Sequence, residues 1–262
     1  MDTQTLQRIG IRAAYRAGRI LNDYFVGEFK INKKGTIDLV TEADLASEKM
    51  IVETLRETFP DHGVLAEESG ASGDNRRDQW IIDPLDGTTN FAHRLPIFAV
   101  SIAYARDDQV EVGIVFHPIS GELFTAIRGE GARLNDQPIR VSETAQVRDS
   151  LLVTGFPYTV ATGDTIRPMA RFARCLAAAQ GVRRLGSAAL DLCYVACGRF
   201  DGFWEEHLKP WDTAAGMLIA AEAGARVSDF SNGPYHIRHP EILAANPHLH
   251  PALVTLLHNE DS

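Results

Sequence analysis

The sequence predicts a mixed fold, α+β in its first half and α/β in its second. Three observations carry this: an amphipathic opening helix, an antiparallel meander from Phe98 to Ile127, and strict strand–helix alternation after Leu151. Residues 4–26 place Leu6, Ile9, Ala13, Ala17, Ile20, Leu21 and Tyr24 at three- and four-residue steps, which is one face of a helix. "FKINKKGTIDLVT" reads as a hairpin or irregular strand pair broken at Gly35. Thr41 then starts a second helix running to about Phe59, where Pro60 ends it; Asp44 three residues on makes an S/T-x-x-D cap. "GVLAEES" is a short strand closing on two glutamates.

The meander consists of "FAVSIAYA", "QVEVGIVF" and "ELFTAI", separated by the turn chemistry of "RDD" and "HPISG", with a further turn and strand in "LNDQPIRVSE". The second half reads as strand 151–154, helix 164–180, strand 182–185, helix 187–198, strand 201–205, helix 210–223, strand 225–229 and helix 248–258. This divides the chain into an α+β half over 1–145 and an α/β half over 146–262, with no linker long enough to separate them from one compact unit.

Composition excludes several functions. The 262 residues are 45% hydrophobic and 23% charged, ordinary for a globular protein. With 26 basic and 35 acidic residues the net charge is −9, so no nucleic-acid partner is expected, since a phosphate backbone demands a basic face. Small anionic substrates stay open if metal ions supply positive charge. The three cysteines make no disulfide framework, and Cys193 and Cys197, at i and i+4, read as helix core. There is no export signal at the N-terminus and no apolar run near the roughly 20 residues that cross a bilayer, so the expectation is a soluble, cytoplasmic protein without a membrane partner.

The chemistry is concentrated in "WIIDPLDGTTNF", residues 80–91. Two acids, Asp83 and Asp86, follow an apolar strand directly. Further acids stand where the chain leaves a strand or enters a helix: Asp44, Glu67, Glu68 and Asp212. Buried neighbouring carboxylates repel unless a cation sits between them. Hard oxygen ligands with a carbonyl, here Leu85, suit Mg²⁺, and two such ions roughly 4 Å apart can hold the attacking and leaving oxygens of a phosphoryl transfer. Gly87-Thr88-Thr89-Asn90 opens a short helix whose free amides can receive a phosphate.

With "LVTEAD", "AEES" and "PWDTAAG", this stretch resembles the inositol monophosphatase family of Mg²⁺-dependent, lithium-sensitive phosphatases; the motifs run from Asp38 to Gly216. "RLGSAALDLCYVACGRFDGFWE" is similar to its bacterial members. The resemblance implies a layered αβαβα sandwich of the sugar phosphatase type and a homodimer. It also implies a site. Glu67, Asp83 and the Leu85 carbonyl would hold one Mg²⁺, and Asp83, Asp86 and Asp212 a second, with a third, weaker ion leaning on Glu67. Thr88, supported by Asp44, would position the attacking water, and Glu67 would take part in catalysis. Gly87 and Thr88 amides would take phosphate oxygens. Asp86, Gly186, Ser187, Ala188, Glu205 and Asp212 would face the substrate, and Glu68 would assist from behind Glu67.

Inositol 1-phosphate is the expected substrate, because Glu205 suits a neutral polyol and repels a second phosphate. Histidinol phosphate or fructose 1,6-bisphosphate stand behind it. A non-catalytic binding protein on the same fold is the reading from another class. The haloacid-dehalogenase signature D-x-D-G-T spaces its aspartates by two, not three, and no G-x-S-x-G occurs. "RGEGAR" is no dinucleotide fingerprint. The late histidines 236, 239, 248, 250 and 258 read as surface loop, and Tyr24 and Phe25 as core.

Overall fold

The computed structural model describes residues 2–28, 30–33, 39–156 and 166–258. Helix α1 spans Thr3–Val26, capped by the Asp2 carboxylate. Strands β1 (Ile31–Lys33) and β2 (Leu39–Thr41) pair antiparallel; the expected break at Gly35, the motif start at Asp38 and the first two residues of the helix expected over 164–180 lie outside the described residues. Helix α2 covers Glu42–Arg56, opened by the capping box that Thr41 and Asp44 announce.

Strands β3 (Gly63–Ala66), β4 (Gly70–Ser72) and β5 (Asp78–Asp86) follow, then the one-turn helix α3 (Thr88–Ala92). The meander is β6 (Ala99–Arg106), β7 (Gln109–His117) and β8 (Glu122–Ile127), extended by β9 (Ala132–Leu134) and β10 (Gln137–Pro138). These form one sheet in the order β10-β9-β8-β7-β6-β5-β3-β4, antiparallel apart from the parallel pair β3 and β5.

The second half supplies β11 (Leu151–Thr154), α4 (Ile166–Ala178), β12 (Gly181–Arg183), α5 (Ala188–Ala196), β13 (Gly202–Glu206), α6 (Pro210–Glu222), β14 (Arg226–Ser228), β15 (Glu241–Ala245) and α7 (His250–His258). Its sheet runs β12-β11-β13-β15-β14, parallel among the first three strands and antiparallel beyond. The sequence reading contains no strand at 241–245, yet β15 sits inside this sheet.

Three apolar cores define the layers. One joins α1 and α2 to the outer face of the first sheet through residues such as Leu6, Leu21, Trp80 and Ile102. A second lies between the sheets, where α5 and α6 touch Ile81 and Phe124 on one side and Phe203 and Ala244 on the other. A third joins Cys175 of α4 and Leu253 of α7 to Leu152 and Leu243 of the second sheet. Alternation along each strand feeds both faces, so each sheet is covered twice. The layering is αβαβα, as expected. Cys193 is buried in the middle layer and Phe25 packs on Phe91 and Phe98, in keeping with their reading as core. Among the described residues no helix is long and apolar enough to cross a membrane.

Candidate active site

The site begins with an irregularity in β5. Its pairing with β6 sets Asp83 opposite Ser101 and Asp86 opposite Ala99, so three steps on one strand match two on the other. Simple alternation would aim residues three apart at opposite faces; one extra residue restores them to the same face. Pro84, which has no amide to donate, sits inside this bulge. The Leu85 amide turns back to Asp83 Oδ1 at 3.0 Å, and Ser47 Oγ on α2 donates to the Pro84 carbonyl at 2.8 Å. The parallel partner β3 ends alongside, where the Glu67 amide donates to the Ile82 carbonyl at 3.1 Å. Asp212 arrives at the third position of α6, held as the Lys209 amide donates to its Oδ2 at 2.6 Å.

Gly87 turns the chain from β5 into α3 with φ +103°, a conformation L side chains rarely adopt; a Cβ there would also lie 2.9 Å from the Ile97 carbonyl. Helix α3 spans only five residues, so it offers free amides rather than a macrodipole. Asn90 Nδ2 donates to the carbonyls of Ile97 and Leu185, each at 2.8 Å, which ties the 185–187 loop to this turn.

A cavity of about 560 Å³ opens here. Glu67, Asp86, Gly87, Gly186, Ser187, Ala188, Glu205 and Asp212 line it. Asp44, Asp83, Leu85 and Thr88 are not in the wall; they are buried and bonded behind it. Thr88 Oγ lies 3.0 Å from both Asp44 Oδ1 and the Leu85 carbonyl. Asp44 Oδ2 accepts from the Thr41 amide and hydroxyl at 2.8 and 2.6 Å. Glu68 does not line the cavity, and its amide donates to Glu48 Oε2 at 2.9 Å.

The electrostatics are those of crowded acids. Burial, then Glu67, Asp86 and Asp212, push the Asp83 carboxyl well above the usual carboxylate range. Burial also raises Asp212 strongly, with Asp86 and Glu67 adding to it. Asp86 rises to about 6 by burial, moderated by bonds from Ser187 Oγ and the Ala189 amide, both 2.7 Å. Burial and the charges of Asp212 and Asp86 lift Glu205 to about 8. Burial raises Asp44 as well, opposed by its bonds to Thr41 and Thr88.

Among the described residues no three carboxylate, imidazole or thiol groups already form a metal cage. The acids are neighbours rather than a finished shell. Their chemistry nevertheless fits a divalent cation: the donors are hard oxygens, and the repulsion that raises Asp83 and Asp212 is what a cation would relieve.

The sequence reading misses Glu48, whose carboxylate takes the amides of Glu68 and Ser69 at 2.9 and 3.0 Å and so shapes the turn carrying Glu67. A signal existed: Asp44, Ser47 and Glu48 stand at i, i+3 and i+4, one face of a helix that packs inward. It also misses Asp191, buried on α5 with its Oδ1 unbonded and its carboxyl raised by burial, Glu205 and Asp86.

The sequence model of the inositol monophosphatase family matches residues 2–262. The chain belongs to the inositol monophosphatase family. It is 48% identical over 243 residues to the "Nus factor SuhB" of Haemophilus influenzae, covering 90% of each chain. It is 46% identical over 255 residues to the "Inositol-1-monophosphatase" of Synechocystis, covering 96% of this chain and 88% of that one. The crystal structure of the extragenic suppressor protein suhB from Bartonella henselae superposes with a TM-score of 0.93 at 40% identity, covering 98% of this chain and all of the other. The αβαβα layering is thus that of the inositol monophosphatase fold.

Proposed function

We propose that the protein is a Mg²⁺-dependent phosphate monoester hydrolase whose substrate is inositol 1-phosphate. The observation that carries this reading is the meeting of Glu67, just past β3, Asp83 and Asp86 of β5, and Asp212 of α6 at the cavity, Asp83 buried behind its wall and the other three in it. In it, Glu67, Asp83 and the Leu85 carbonyl would hold one ion, and Asp83, Asp86 and Asp212 would hold another. Bound there, Mg²⁺ would polarise the phosphoryl group and offset the charge that builds during displacement.

The remaining roles belong to the chain itself. Asp44, held by Thr41, accepts the Thr88 hydroxyl proton, which leaves Thr88 Oγ lone pairs to orient a water and receive its hydrogen bond. The Gly87 and Thr88 amides bond phosphate oxygens. Glu205 accepts hydrogen bonds from the hydroxyls of the leaving alcohol. Glycine at 155 makes room for that carboxylate: a Cβ there would stand 2.2 Å from it. A cytoplasmic homodimer belongs to the same proposal, on the strength of the family alone.

A second reading is favoured by the name "Nus factor SuhB" borne by relatives 43–48% identical. On it, the chain acts through a partner, with or without turnover; the net charge of −9 favours a protein surface over nucleic acid. A panel of phosphate esters assayed with Mg²⁺ separates the two. The phosphatase reading expects hydrolysis, with kcat/KM for inositol 1-phosphate above that for fructose 1,6-bisphosphate or histidinol phosphate, and Glu205→Gln reducing that preference. Hydrolysis of no ester would leave the partner reading. A tenfold preference for either rival ester, about 1.4 kcal/mol, would overturn the substrate choice alone.

A further inference from the structure

Between β13 and the first turn of α6, every residue from Glu206 to Asp212 except Pro210 lines the cavity. The connection from β14 to β15 grips this stretch at two points. His207 has φ +65°, a conformation that L side chains rarely adopt, and its amide donates to the Pro240 carbonyl at 2.6 Å. Earlier in the same connection, the Tyr235 hydroxyl donates to Thr213 Oγ at 2.9 Å. Tyr235 and Ile237 share the core between the sheets with Leu208 and Trp211. Thr213 is fully buried and donates in turn to the Lys209 carbonyl at 3.4 Å, while the Lys209 amide donates to Asp212 Oδ2 at 2.6 Å. Burial pushes the Tyr235 phenol up to about 12, and the charge of Asp212 adds to the rise, so the hydroxyl stays a donor.

We infer that Tyr235 is a positioning residue for Asp212, acting through Thr213 and Lys209 to hold that carboxylate where the second cation of the phosphatase reading would bind. A threonine hydroxyl has one proton to give and lone pairs to accept with. With Tyr235 donating to it, Thr213 commits its proton to the Lys209 carbonyl, and each bond polarises the next. Lys209 is thereby fixed through its carbonyl as well as its amide, and the amide decides where Asp212 Oδ2 lies. Without the phenol hydroxyl, Thr213 Oγ is free to turn from a carbonyl 3.4 Å away, and the first turn of α6 loses a restraint. A displaced carboxylate costs affinity for an ion that demands near-ideal octahedral geometry. The inference rests on the cation-binding part of that reading and concerns the ion of Asp212 alone, since Glu67 and the Leu85 carbonyl stand outside α6.

The test titrates wild type and Tyr235→Phe, which keeps the ring and removes only the hydroxyl, with Mn²⁺ followed by electron paramagnetic resonance. Mn²⁺ takes the same hard oxygen ligands as Mg²⁺. Wild type should show two classes of bound ion. Tyr235→Phe should weaken one class about three- to tenfold, the size of one hydrogen bond, and change the other by less than about twofold. Thr213→Val should weaken the same class, and the double variant should bind no worse than the weaker single one, because both changes cut one chain of bonds. In phosphate release, the Mg²⁺ concentration for half-maximal rate should rise by the same factor, while kcat at saturating Mg²⁺ and KM for inositol 1-phosphate stay near wild type. Unchanged Mn²⁺ binding in Tyr235→Phe overturns the inference, and so does equal weakening of both classes, which a general loosening would give. Additive losses in the double variant, or fewer than two classes in wild type, overturn it as well. A wild type that binds both ions yet hydrolyses no ester contradicts the phosphatase reading alone, and the Mn²⁺ titration still decides the role of Tyr235.

Discussion

Thr88 has one hydroxyl proton and two acceptors within 3.0 Å, Asp44 Oδ1 and the Leu85 carbonyl, and it cannot serve both at once. Asp44 is the stronger acceptor as an anion, and its other oxygen is already fixed by Thr41, so the proton goes there and Thr88 Oγ is left as an oriented acceptor. Thr88→Ala should therefore lower kcat by roughly 10²–10⁴, the usual span for a positioned proton-transfer group, with KM nearly unchanged. Thr88→Ser should keep most of the activity. A small effect in Thr88→Ala, measured by steady-state phosphate release, would remove Thr88 from the reaction. At this scale the sequence was informative because the acids are unusual residues at strand ends. What it hid was Glu48, whose partners Glu68 and Ser69 are backbone amides some twenty residues away. No residue type announces a turn's need for an acceptor.

Among the elements, α7 and β15 show where local patterns run out. "EILAA" follows a stretch of histidines and a proline and gives no alternation of its own; it becomes a strand because β13 and β14 flank it on both edges. Helix α7 is anchored by His250, which the sequence predicts on a surface loop with the other late histidines. It is fully buried, with Nε2 2.9 Å from Ser228 Oγ at the end of β14. Burial, helped by Arg226, depresses the imidazole to about 4. The folded value thus lies below the unfolded value of about 6.5, so the unfolded chain binds the extra proton. Stability from this group is full above about pH 6.5 and is lost as pH falls toward 4, by about 2 kcal/mol at pH 5. Urea unfolding at pH 7.5 and pH 5 should show wild type losing about that much more than His250→Gln. Equal losses in the two proteins would mean that His250 is not the source.

For the whole molecule, the alternation of antiparallel and strand–helix segments made two sheets legible, and helical periodicity made α1 and α2 legible. The sharing of α5 and α6 between the sheets was not readable from periodicity, because their apolar residues run round both faces: Ala189, Leu190, Leu192 and Cys193 are all buried. That middle layer matters for the site. It holds the start of α6, with Asp212, and the start of α5, with Ser187, against the bulge of β5, so that acids far apart in sequence become neighbours. The bulge itself was invisible, although it decides that Asp83 and Asp86 face the same way. Since the acids raise one another, cation binding is expected to depend most on Asp83, pressed by Glu67, Asp86 and Asp212. The most direct measurement is Mg²⁺-dependent phosphate release from inositol 1-phosphate by wild type and by Asp83→Asn. The account predicts turnover in wild type that rises with Mg²⁺ and is abolished by its removal, and an Asp83→Asn protein that folds yet keeps less than about a tenth of kcat, a barrier increase above ~1.4 kcal/mol. Wild-type rates in Asp83→Asn, or turnover unaffected by removing the metal, would contradict it.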